Sequence, residues 1–294
     1  MRTVRPAPYV LAALVYALAA CSSTPKASAA LEVVAAENFY GDIASQIGGA
    51  AVHVTSILSD PEADPHLFAP GTENGAAVAH AAVVVMSGLG YDSFMDRLIQ
   101  ASPNPKRTVV VVADQIGIAG ADANPHVWYD VPKMPAIATG IAVALERALP
   151  DKRADFEKNL RTFVDSLAPL NGIVAAIRAK AAGAAVATTE PVPGYLLDAA
   201  GLVVKTPPAF AKAIEEGRDP SPQAVSAMRA LFDERRVRVL LYNTQATSPI
   251  TEDLKRLANA NHVPVVGVTE TLPKGKTFQT WMAAQAQALL AALS

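Results

Sequence analysis

The chain is poor in sulfur. Cys21 is the single cysteine among 294 residues. One cysteine forms no disulfide framework, and no thiolate after it can join a soft-metal site. Charge is also sparse, at 18% of residues, with no basic runs and no interleaving of aromatic and basic side chains. That pattern excludes a nucleic-acid-binding surface. No HExxH or GxSxG pattern occurs, so two common signatures of hydrolytic catalysis are missing. What the chain does have is apolar mass: 51% hydrophobic residues, mostly Ala and Val, enough for a substantial core.

The lone cysteine needs its own explanation. Arg2 and Arg5 make a short basic start, and Tyr9 to Ala17 an apolar stretch too short to span a bilayer. Leu18-Ala19-Ala20-Cys21 then reads as a lipoprotein signal, with Cys21 as the lipidated residue. Residues 1–21 are expected to be removed up to Cys21. Residues 22–30 are expected to form a flexible tether. The mature protein is then anchored to the membrane from outside the cytoplasm, not spanning it. Without Arg2 and Arg5, 23 basic side chains face 27 acidic ones.

Strand-like and helical runs alternate along the rest, which is long enough for two domains. Strands are expected at 31–36, 51–58, 82–86, 108–112, 184–188, 202–205, 237–242 and 263–268. Several are apolar at every position, as suits strands buried on both faces. Helices are expected at 39–47, 91–101 and 133–148. Ser221-Pro222 and Ser248-Pro249 read as helix starts, with Ser capping and Pro in the first turn. One long helical pattern fills 150–182; Phe156, Leu160, Phe163 and Leu167 form its buried stripe, and Pro169 is a place to kink. The expected fold is α/β: a lobe of parallel sheet at 31–150, a linking helix at 151–182 and a second lobe at 183–294.

Two of the five histidines share a frame. They stand in Asp64-Pro65-His66-Leu67-Phe68 and Asn124-Pro125-His126-Val127-Trp128, each presented after a proline that fixes the backbone. In open parallel sheets ligands bind beyond the carboxyl ends of strands. His66 and His126 follow strands of the first lobe. Glu190 and Glu270 directly follow apolar strands of the second, where an unpaired carboxylate is costly. Two neutral imidazoles and two carboxylates balance one divalent cation. The mixed nitrogen–oxygen set suits manganese, zinc or iron(II).

These segments resemble the zinc/manganese solute-binding proteins of ATP-driven metal importers, known as cluster A-I. The likeness rests on SDPEADPHLFAPG (59–71), NPHVWYDVPKM (124–134), ATTEPVPGYLLDAAGL (187–202) and VGVTETLP (266–273). It implies two lobes bridged by one long rigid helix, with one metal held between them as cargo. It also implies partners: a membrane permease and its ATPase. By position it implies His66 and His126 as first-lobe ligands, Glu190 as the third and Glu270 as the fourth, where Asp is usual. The His-rich loop of many zinc-type members is missing, since 67–125 contains only His80. With two carboxylates, that tilts the expected cargo toward Mn2+, then Zn2+, then Fe2+.

The expected protein is a monomeric binding protein and not an enzyme, with no cofactor beyond its cargo. A metalloenzyme and a surface adhesin with a structural metal remain as alternatives. His53, His80 and His262 are expected to be structural or solvated, and Trp128 to belong to the core. Asn38 and Gln245, at strand ends, are either donors that orient the carboxylates or ordinary loop residues.

Overall fold

Short runs of Val, Leu and Ala, apolar on both faces, become strands covered by helices on both sides. A computed structural model shows how they assemble; it describes residues 1–3, 30–60, 68–120 and 122–294. Cys21, nearly all of the expected signal and tether, and His66 lie outside the described residues. In the first lobe β1 (Leu31–Glu37), β2 (Val52–Leu58), β3 (Val83–Met86) and β4 (Thr108–Val111) form one sheet. Around it lie α1 (Asn38–Gly48), α2 (Thr72–His80), α3 (Ser93–Ala101), the short α4 (Val112–Gln115) and α5 (Met134–Ala148). The second lobe repeats the plan with β5 (Ala185–Thr188), β6 (Val203–Val204), β7 (Leu240–Asn243) and β8 (Val265–Val268). Its helices are α8 (Gly194–Ala199), α9 (Pro208–Glu215), α10 (Pro222–Asp233), α11 (Pro249–Ala260) and α12 (Phe278–Ala292). All pairings are parallel, and the strand orders are β2-β1-β3-β4 and β6-β5-β7-β8. Each sheet therefore reverses its winding once, between β1 and β3 and between β5 and β7, and each reversal opens a crevice at the carboxyl edge.

The expected linking helix is bent. Two segments, α6 (Arg153–Ser166) and α7 (Ala168–Ala181), meet at Leu167. Pro169 has no N–H to donate to the carbonyl one turn back, so the helix breaks just before it. Phe156, Phe163 and Leu167 of the expected stripe are fully buried. This stretch, Pro150–Ala181, is long and apolar enough to cross a membrane. Its apolar stripe is taken up by the protein, with α6 packed on α1 and α5 and α7 packed on α12.

One apolar cluster runs through both lobes. It joins Val33, Val85 and Ile141 to Phe163, Ile177, Val186, Val266 and Leu289. Two smaller clusters sit under the outer helices of each sheet, around Val84 and Met95 and around Met228 and Leu240. Polar bonds stitch the same seam. Asn38 Nδ2 donates to the Leu272 carbonyl at 2.8 Å, and the Leu272 N–H donates back to Asn38 Oδ1 at 2.8 Å. Gln46 and Gln279 exchange amide hydrogen bonds at 3.0 and 2.8 Å, and Asp42 Oδ2 accepts from the Phe278 N–H at 2.8 Å.

Candidate metal centre

His126 stands on the loop after α4, immediately before the short turn Val127–Tyr129, and is fully buried. Asn124 sets its ring. Asn124 Nδ2 donates across the seam to the Pro191 carbonyl at 2.8 Å, which turns Oδ1 back toward the histidine. That oxygen accepts the His126 backbone N–H at 3.1 Å and lies 2.7 Å from ring Nδ1. With Nδ1–H donating there, a neutral ring carries its other lone pair on Nε2. Metal-binding histidines are commonly oriented in this way. Nε2 faces the second lobe, 3.3 Å from Glu270 Oε2 and 3.6 Å from Glu215 Oε1. Trp128 is core, as expected, and also edges the His126 ring at 5.1 Å while stacking on Phe39 at 4.5 Å.

The second lobe brings its carboxylates together at the β5/β7 reversal. Glu190 follows β5 and Glu270 follows β8, and both are buried. Asn243, the last residue of β7, joins them: its Nδ2 donates to Glu190 Oε2 and, at 2.6 Å, to Glu270 Oε1. Its backbone N–H is held by Thr189 Oγ1 at 3.0 Å. Tyr91 of the first lobe donates its hydroxyl to Glu270 Oε2 at 3.0 Å. Burial first, then the charges of Glu270 and Glu37, raise the Tyr91 hydroxyl well above the ordinary phenol range, so it stays a donor.

Tyr91 is aimed by a turn at 88–90 whose three residues all have positive φ. Gly88 is required there: its φ is +82°, and a Cβ would come 2.7 Å from Val111 Cγ1. The same turn places Asp92, which accepts the Ser87 and Gly88 N–H groups at 2.5 and 3.0 Å. Beside it is Glu37, the buried end of β1. Among the described residues no N–H or O–H donor reaches either Glu37 oxygen, so its contact with Asp92 needs a shared proton. Burial, then the Asp92 charge, raises Glu37 well above the carboxylate range; burial pushes Asp92 up to about 6.

Of the four expected ligands, three are described and converge from both lobes; His66 lies outside the described residues. Among the described residues alone, no three His, Cys, Asp or Glu side chains form a closed metal-binding group. The arrangement still suits a cation. Two donors on one ion at about 2.1 Å stand roughly 3.0 Å apart at a right angle and roughly 3.4 Å apart at the tetrahedral angle. The 3.3 Å gap between His126 Nε2 and Glu270 Oε2 falls in that range.

Asn38 and Gln245 turn out to hold backbone. Asn38 clamps Leu272, while Gln245 Oε1 accepts the Glu270 and Thr271 N–H groups at 2.5 and 3.1 Å. Asn243, Tyr91, Asn124 and Glu215 were not expected. For Asn243 the strand-end rule was signal enough, because it closes the apolar run Leu240-Leu241-Tyr242. His53 pairs with Glu32 at the surface, 2.8 Å apart. His262 takes a left-handed turn after α11, with φ 59°.

The family model described as zinc-uptake complex component A, periplasmic (ZnuA), matches residues 33–292. Among curated proteins, the manganese-binding lipoprotein MntA of Bacillus subtilis (strain 168) is 29% identical over 162 residues, 52% of each chain. The manganese ABC transporter substrate-binding lipoprotein scaA of Streptococcus gordonii is 26% identical over 170 residues, 52% of this chain and 54% of that one. These matches span about half the length of the curated relatives. Among solved structures, the periplasmic zinc-binding protein TroA of Treponema pallidum superposes with a TM-score of 0.76 at 20% identity, covering 89% of this chain and 98% of that one. The last likeness establishes the fold: two parallel-sheet lobes joined by a long bent helix.

Proposed function

The chain belongs to the zinc-uptake component A family, and on that premise we propose that it is the extracytoplasmic substrate-binding component of an ATP-driven metal importer. It captures one divalent transition metal between its lobes and delivers it to a membrane permease driven by an ATPase. It acts as a monomer tethered through lipidated Cys21, and it performs no catalysis. The lobes, by this assignment, are 31–150 and 183–294, linked by 151–182.

The observation that carries this reading is the setting of the His126 ring. Nδ1 is tied to Asn124, and Nε2 faces Glu270 at 3.3 Å from the opposite lobe. His66, His126, Glu190 and Glu270 form the ligand set. A cation between them neutralises carboxylates that are costly to bury alone and joins the lobes through its own bonds. Manganese is the favoured cargo, because two carboxylates harden the site; zinc follows and iron(II) is third. The names of the two curated relatives above agree with manganese, and the name of the solved structure with zinc.

Isothermal titration of the mature protein with Mn2+ and Zn2+ tests this. One metal should bind per chain, and His126→Ala or Glu270→Ala should abolish it. No binding, or a stoichiometry well above one, would sink the proposal. Metal-dependent growth of a deletion strain would then identify the cargo.

A further inference from the structure

Resting on that reading, we propose that Glu215, the last residue of α9, is a fifth ligand to the captured metal. Glu215 Oε1 stands 3.6 Å from His126 Nε2, and its side chain is only 17% exposed. For two donors on one ion, that separation needs an opening slightly wider than tetrahedral at bonds of about 2.1 Å. His126 Nε2 thus faces a carboxylate oxygen on each of two elements, Glu270 after β8 and Glu215 on α9.

A second contact shows that α9 reaches across the seam as an element. Lys212 Nζ lies 3.1 Å from Asp122 Oδ1, on the loop that carries His126. Residues three apart share a helix face, so 212 and 215 present one face of α9 to that loop. The Lys212 pair is exposed, 60% and 89%, and such a pair contributes little energy by itself. It marks direction: this face of α9 is turned toward the loop that carries His126.

Electrostatics makes a cation the reason for this placement. A helix ends in partial negative charge, and Glu215 adds a full one at the carbonyl end of α9. It does so beside Glu270, and its field also reaches Tyr91. Collecting that charge within reach of one imidazole is unfavourable until a divalent ion enters. Bringing Glu215 into the shell adds a third carboxylate beside Glu190 and Glu270. Zinc is satisfied by four donors, whereas manganese accepts larger, oxygen-rich shells. Glu215 therefore acts as a specificity determinant toward Mn2+.

The test compares wild type with Glu215→Gln and, as a control, Glu216→Gln on the adjacent exposed position. Mn2+ and Zn2+ titrations are paired with the visible spectrum of the Co2+-loaded protein, which reports donor number without a transport assay. Glu215→Gln should lower Mn2+ affinity on the order of tenfold or more and Zn2+ affinity by much less. Its Co2+ bands should intensify toward the four-donor pattern. Glu216→Gln should match wild type. Circular dichroism melting shows that each variant is folded, and Glu215→Asp, which keeps the charge, should recover part of the Mn2+ affinity. Unchanged affinities and superimposable Co2+ spectra for Glu215→Gln would overturn the assignment. Wild-type protein that bound neither metal would overturn the reading beneath it.

Discussion

Asn124 and Asn243 do for the site what no ligand does for itself. Asn124 chooses the nitrogen that His126 offers, and Asn243 holds Glu190 and Glu270 at one spacing with its two amide hydrogens. Losing such an orienting partner commonly costs ten- to a hundredfold in metal affinity. Asn243→Ala should therefore weaken Mn2+ and Zn2+ binding by about that factor in a titration, with the fold intact by circular dichroism. Unchanged affinity would mean that the carboxylates are oriented from elsewhere. Sequence alone exposed the candidate ligands better than their holders. His126, Glu190 and Glu270 advertise themselves by chemistry at strand ends, where bare charge is costly. Asn243 is a neutral residue at such an end, and Glu215 sits 25 positions beyond Glu190 in a segment with no strand-end cue. Only the folding of α9 back across the cleft places it near His126.

The elements that were legible are those whose burial is uniform. β3 and β7 are buried at every residue, and both follow from their apolar runs. The Ser221 and Ser248 helix starts also hold, each side chain accepting the N–H three residues on, from Ala224 and Thr251. β6 is shorter than its apolar run, two exposed residues at a sheet edge, because an edge strand has a neighbour on one side only. Less legible was what the β1/β3 crevice holds. There Glu37 and Asp92 share burial, and both carboxyls titrate above their usual range. The native state keeps a proton that the unfolded chain releases above pH ~4.3. Stability from this pair is therefore greatest in acid and declines as pH rises through the folded values, near 6 for Asp92 and higher for Glu37. The slope is at most about 1.4 kcal/mol per pH unit for each retained proton. Glu37→Gln keeps the donor to Asp92 and removes one ionisation. Its melting temperature should rise relative to wild type between about pH 5 and pH 7, as measured on metal-free protein. A difference that stays flat across that interval would show that Glu37 ionises normally.

At the scale of the molecule, the two lobes are less separate than a two-domain sequence suggests. The apolar cluster is continuous from β1 through α1, α5, α6, α7 and α12 to β8, and the Asn38–Leu272, Asp42–Phe278 and Gln46–Gln279 bonds cross the same seam. Swinging one lobe away would expose that core, at a cost of roughly 25 cal/mol for each Å2 of apolar surface uncovered. Capture therefore has to be a local event at the cleft. Two consequences can be measured together by calorimetry. The metal-free protein should unfold in one transition, since the main apolar cluster is shared by both lobes; two separated transitions would contradict the shared core. Metal should then raise that single transition, because the proposed ligands come from both lobes and the unfolded chain offers no such site. At a hundredfold excess over Kd the gain is about 2.7 kcal/mol, which for a chain of this size shifts the midpoint by roughly 5–10 °C. Chelation should reverse the shift, and His126→Ala should abolish it, judged against that variant's own metal-free transition.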